Sequence, residues 1–270
     1  MSQTQKIIKY LAIAFAIYLV VIIFSGIVSL IGAIGGSLSN DDRLMENLEE
    51  IKVADSFDNI EIEIGNLNLT IKEGETLKVE TNSKNVSYKG KSNTLTLEEK
   101  SNNWLNRNKK TGELVITIPK NSKYKKVSIS NGAGKINIDT LKTNNLELNV
   151  GAGKVSINNL VVESSTDIDG GAGEIVIDNS ELSNLDLDMG VGKVTISGKL
   201  YSSSDIDAGV GELSINLDGS EEDYEISIEK GVGEATINGE NIKNEAVYGN
   251  GSNKIDIDGG IGKISINFNN

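Results

Sequence analysis

Pairs of aspartates two residues apart recur along the second half of the chain: Asp167 and Asp169, Asp186 and Asp188, Asp205 and Asp207. A β-strand projects alternate side chains to the same side, so both members of each pair face one way. Glu147 and Asn149 hold the equivalent places before them, and Ser227 with Glu229, then Asp256 with Asp258, hold them after. Carboxylates spaced like this can gather cations or cationic peptides, ligate calcium, or work as an acid–base pair on a glycan. Calcium wants about six to eight oxygens wrapped around one ion, which a flat grid does not provide. Glycan hydrolysis needs a cleft, and a regular strand face offers none. There is also a plain use for such a face: an exposed strand surface must be polar, and dense negative charge deters edge-to-edge aggregation. The aspartates are therefore the candidate binding face, with a purely solvating role as the alternative.

Other chemistries lack their residues. The chain has no histidine and no cysteine, which removes the commonest general base, the usual triad partner and thiolate metal sites. No nucleophile elbow, phosphate loop or metal-ligand cluster is visible, so no enzyme activity, cofactor or metal is expected. Net charge is −13 and uneven: residues 78–126 carry 12 basic and 4 acidic side chains, whereas 136–270 carry 8 basic and 24 acidic. Such an acidic majority argues against a nucleic-acid partner.

The elements that would position the aspartates are set by a repeat. Glycine, a small apolar residue, glycine, then Lys or Glu begins at Gly132, Gly151, Gly171, Gly190, Gly209, Gly231 and Gly260, at spacings of 19, 20, 19, 19, 22 and 29 residues. The second glycines are Gly134, Gly153, Gly173, Gly192, Gly211, Gly233 and Gly262. Short alternating runs flank each copy, such as Leu146 to Val150 before Gly151 and Val155 to Ile157 after it. Strands this short hold only by stacking on copies of themselves. Each unit of 19–20 residues therefore reads as one rung of an all-β, single-stranded β-solenoid, turning at glycine. Ile136, Ile138, Leu146 and Leu148 point inward in one rung, Val155, Ile157 and Ile168 in the next, and Ile175, Ile177, Leu185 and Leu187 in the one after. Equivalent side chains stack about 4.8 Å apart. Ala152, Val191, Val210 and Ile261 are expected to plug the corner from inside.

A second column follows the corner: Lys135, Lys154, Glu174, Lys193, Glu212, Glu234, Lys263. From Lys154 to Glu212 its sign alternates at every rung, a structural pattern that favours this register over a slipped one.

Residues 55–126 repeat less clearly and read as irregular first rungs, with regular repeats over 127–270. Loops are expected at Asn82 to Asn93 and Ser101 to Lys110, and Phe268 with the Asn-rich tail at the far cap. Trp104 sits among Arg107, Lys109 and Lys110, either as a capping side chain or as part of a basic loop touching lipid headgroups or anionic wall polymer. Ahead of the repeats, no charge occurs from Tyr10 to Asn40. Residues 10–34 are long enough for a transmembrane helix, and Lys6 and Lys9 before it place residues 1–9 in the cytoplasm and the remainder outside. A cleaved signal peptide is the alternative, its apolar run being longer than usual. Residues 35–54 read as a juxtamembrane linker or short helix, with Leu44, Leu48 and Ile51 at helical spacing.

The glycine corners, the Asp-x-Asp strands and the single N-terminal anchor resemble a bacterial adhesin-like family with β-strand repeats, the toastrack domain, which includes LiaG-like envelope proteins. The resemblance covers residues 55–270. It implies a right-handed single-stranded solenoid in a bacterial envelope setting, often near systems that answer cell-wall antibiotics, and it brings no catalytic residues; the absence of cysteine is compatible with a Gram-positive surface. The expected function is a membrane-anchored binding or scaffold module in envelope stress, with a cationic peptide, wall polymer or envelope protein as partner. The alternative is a structural or adhesive protein acting by self-association.

Overall fold

Stacked columns of aliphatic side chains form the interior, and two of them run unbroken through the parallel stack. One runs Leu97, Ile62, Ile129, Leu148, Ile168, Leu187, Ile206, Ile257, Ile228 in register from strand to strand. The other runs Ile116, Ile71, Ile138, Ile157, Ile177, Ile196, Ile215, Ile266, Ile237. All eighteen are buried. Burying such a side chain contributes about 1.5–3 kcal/mol, so the columns are the main cohesive element of a chain poor in aromatics.

A computed structural model describes residues 47–100, 111–243 and 246–269. Its strands are β1 (Glu49–Ile51), β2 (Asn59–Ile64), β3 (Leu67–Gly74), β4 (Lys78–Thr81), β5 (Val86–Lys91), β6 (Thr94–Glu99), β7 (Gly112–Pro119), β8 (Tyr124–Ile138), β9 (Leu141–Asn158), β10 (Leu160–Ser183), β11 (Leu185–Tyr201) and β12 (Ser203–Asp218). After one 3-10 turn at Glu221–Asp223 come β13 (Tyr224–Glu229), β14 (Val232–Ile237), β15 (Glu240–Asn241), β16 (Ala246–Gly249) and β17 (Asn253–Asn269). All belong to one sheet, and the fold is all-β. From β8 to β12 the rungs stack in parallel and in chain order, as the repeat requires; Ile157 lies directly under Ile177.

At both ends the stacking order departs from chain order. β17 does not follow β14. It lies between β12 on one side and β13 with β14 on the other. Likewise β2 and β3 lie one rung in, between β8 and the outer pair β6 and β7. The repeats were expected to stack in sequence order, and the charge column supplies one physical reason why they do not. Lys263 of β17 sits between Glu212 and Glu234; sequential order would have stacked those two glutamates on each other.

The ends are closed by antiparallel strands: β5 on β6, and β4 on β7 with β1 beyond it, at one end; β16 on β13 and β15 on β14 at the other. Covering the outer rungs removes long parallel edges. Three details differ from expectation. Residues 86–91, inside the loop expected at Asn82 to Asn93, form β5, and Glu49–Ile51 form β1 within the expected linker or short helix. Phe268 is not at the outer end. It pairs with Leu217 in the rung inside and packs against Tyr224 and Tyr248, at 5.8 and 6.5 Å between ring centroids. The segments 10–34 and 101–110, with Trp104, lie outside the described residues. Among the described residues no helix is long and apolar enough to cross a membrane.

Candidate functional site

The aspartates lie on the strand segments that precede the glycine corners. Alternation with buried Leu185, Leu187, Ile206 and Ile257 turns them outward, and all are exposed. Asp167 stacks on Asp186 and Asp169 on Asp188; Asp186 stacks on Asp205 and Asp188 on Asp207. These are the six positions expected from the repeat. The insertion of β17 adds two more, because Asp256 stacks on Asp205 and Asp258 on Asp207. The result is a continuous grid of eight aspartates, four rungs deep and two wide. Reading repeats in chain order hid this extension, since Ser227 and Glu229 of β13 then fall between Asp207 and Asp258; in the structure they lie beyond Asp258. The alternating charge column was the available clue.

Among the described residues, none of the eight forms an ion pair. At one end of the same face, by contrast, Glu147 is held by Lys126 at 2.7 Å, which keeps its carboxyl below the usual range. Inside the grid the shifts run the other way. Partial burial raises Asp167 above the ordinary value, helped by the charges of Asp169, Asp186, Glu147 and Asp188. Asp207 is raised by burial, by Asp188 and Asp258, and by a hydrogen bond with Asp188. No group of three or more acidic side chains among the described residues converges on one point as a metal site would require. The grid is therefore an extended anionic surface rather than a point site.

Beside it runs an open groove of about 690 Å³. Its polar wall includes Glu63, Asn149, Asp169 and Asp188, and its floor includes the backbone of Gly132, Gly151, Gly171 and Gly190. Glu99 closes one end, its Oε2 accepting from the backbone N–H groups of Gly65 and Asn66 at 2.8 and 2.9 Å. Among the described residues, no aromatic side chain lines the groove.

The corners themselves are positioned by close backbone stacking. Gly173 has φ +148°, and a Cβ there would lie 1.8 Å from the carbonyl oxygen of Gly153. Only glycine meets both the dihedral and the approach. The residues between the paired glycines do not plug the interior as expected. Ala152, Val191 and Val210 are half-buried, Ile261 is 45% exposed and Val232 is 72% exposed, because a two-glycine turn points the middle side chain off the corner. The charge column beside them behaves as expected, with Lys154–Glu174 at 2.8 Å and Lys193–Glu212 at 3.4 Å.

No curated protein matches the sequence. Among solved structures, a "putative cell adhesion protein" of Clostridium sporogenes is similar, at 18% identity over 83% of this chain and 100% of its own, with a TM-score of 0.35. A "putative adhesin" of Bacteroides fragilis gives 17% identity over 83% of this chain and 98% of its own, with a TM-score of 0.36. The family assignment rests on the sequence itself, whose glycine-cornered rungs fall within the matched region: over residues 57–266 the chain belongs to the Toastrack DUF4097 family.

Proposed function

We propose that this protein is a binding module of the bacterial cell envelope, tethered to the membrane by residues 10–34 and facing outward, whose acidic face receives a cationic peptide during envelope stress. The eight-aspartate grid carries the reading. Like charges on neighbouring rungs oppose folding, each exposed contact by a few tenths of a kcal/mol once water and salt screen it. β17 adds to that repulsion by laying Asp256 and Asp258 on Asp205 and Asp207, where β13 would have offered Ser227 in one column. A bound polycation relieves all of these contacts together. The uncharged stretch from Tyr10 to Asn40, with Lys6 and Lys9 ahead of it, supports the tether and its direction.

The test is binding of a fluorescent oligolysine to the full-length chain in zwitterionic nanodiscs. Asp186→Asn, Asp188→Asn and Asp205→Asn together should weaken binding about tenfold, as three exposed ion pairs at ~0.5 kcal/mol each imply. Wild-type binding should fall steeply as salt is raised. Equal binding by the triple variant, insensitive to salt, would reject the face as the site.

A further inference from the structure

The corner residues left outside the core have a use that does not depend on the acidic face. In stacking order they run Ala133, Ala152, Ala172, Val191, Val210, Ile261, Val232, in register from β8 to β14. This ridge is small at one end and large at the other, and the large end is the exposed one: Val232 and Ile261 are two of the large hydrophobic residues that stand out in solvent among the described residues. Two positions further along each strand lies the charge column. Its first member, Lys135 of β8, stacks on Lys154 as a like charge; from Lys154 onward the stacking order reads Lys154, Glu174, Lys193, Glu212, Lys263, Glu234, and these six alternate without a break.

A strictly alternating column of even length is complementary to its own inverse. A two-fold axis passing between β11 and β12, across the column, sets Lys154 of one copy against Glu234 of the other, Glu174 against Lys263 and Lys193 against Glu212. Each pair occurs twice, giving six opposite-charge contacts. A slip of one rung in either direction brings like charges together at every position between Lys154 and Glu234. The same inversion sets Ala152 against Val232, Ala172 against Ile261 and Val191 against Val210, so the bulky exposed end of one ridge meets the small end of the other. Closed two-fold contacts of this self-matching kind are the commonest basis of homodimers. The aspartates lie on the preceding strand segment, across the glycine corner, and remain uncovered.

We propose that the corner ridge is a homodimer interface, in which two copies of this chain pack antiparallel with β11 of each against β12 of the other. It depends on the placement of β17, because in chain order Glu212 and Glu234 would break the alternation. It also supplies a definite surface for self-association.

The chain has no cysteine, which allows a direct test. Ala152→Cys combined with Val232→Cys places two thiols five rungs apart within a copy, about 24 Å, far beyond the reach of a disulfide. Any disulfide must therefore join two copies. Mild oxidation of the full-length double variant in detergent should give mostly covalent dimer on a non-reducing gel. Ala133→Cys with Val232→Cys, one rung out of register, should cross-link several-fold less. Adding Glu234→Lys to the in-register pair should cut the yield several-fold, and adding Lys154→Glu as well should restore it. Far-UV circular dichroism confirms that each variant keeps its β structure. Equal cross-linking at the two registers, no response to the charge changes, or monomer throughout would overturn the proposal.

Discussion

Asp258 stacks directly on Asp207, with the whole of β13 to β16 kept out from between them. Two like charges are thereby brought together from segments that chain order would have separated, and the consequences are measurable.

Asp207 and Asp167 hold their protons more tightly in the folded state than in the unfolded chain. The cost of ionising them is therefore present above their raised folded pKa and disappears as pH falls toward the unfolded value of about 3.9. Glu147, held low by Lys126, acts oppositely, and its contribution is lost on acidification through its folded pKa. Asp207→Asn should raise the melting temperature at pH 7 by about 1–2 °C, the effect of removing roughly half a kcal/mol of repulsion in a domain of this size. Thermal melts followed by circular dichroism should show the difference from wild type shrinking as pH is lowered through the carboxylate range. A variant that melts below wild type at pH 7 would contradict the repulsive account of the grid.

Gly192 has φ +146°, and a Cβ there would lie 1.9 Å from the carbonyl oxygen of Gly173. Gly192→Ala should cost about 3 kcal/mol or more, since strain at a positive φ and a backbone clash act together. Ala172→Ser, between Gly171 and Gly173 but half-buried on the ridge, should cost less than about 0.5 kcal/mol. Urea denaturation of both variants checks the contrast. Similarly small values would show that the corner tolerates side chains at either position, and similarly large ones that the ridge position is as restricted as the glycine.

The placement of β17 can be tested apart from any function. Ser214 and Ser265 are register partners on adjacent strands and point the same way. Ser214→Cys with Ser265→Cys should form an intrachain disulfide, since neighbouring strands lie within the Cα separation such a bond allows. Ser214→Cys with Thr236→Cys should not, because β17 lies between them. Mass spectrometry of the oxidised monomers distinguishes the two. Bridging of 214 to 236 instead would restore sequential stacking.

Much of this architecture is local and repetitive, and the amino-acid sequence alone determined that part. Alternation of Ile, Leu and Val with polar residues specifies which side of each strand is buried, and the glycine pairs mark where each rung turns. Ile157 under Ile177 and Asp167 beside Asp186 followed from spacing, because identical short strands have few other ways to bury one face. Which rung lies next to which at the two ends was decided only in three dimensions. Several copies of one motif are nearly interchangeable as neighbours, so the choice falls to sums over the stack: Lys263 between two glutamates, Phe268 against Tyr224 and Tyr248, and antiparallel strands closing the exposed edges. The outward direction of Val232 and Ile261 was likewise invisible beforehand, since a hydrophobic residue between two glycines reads as core until the backbone path of the corner is known.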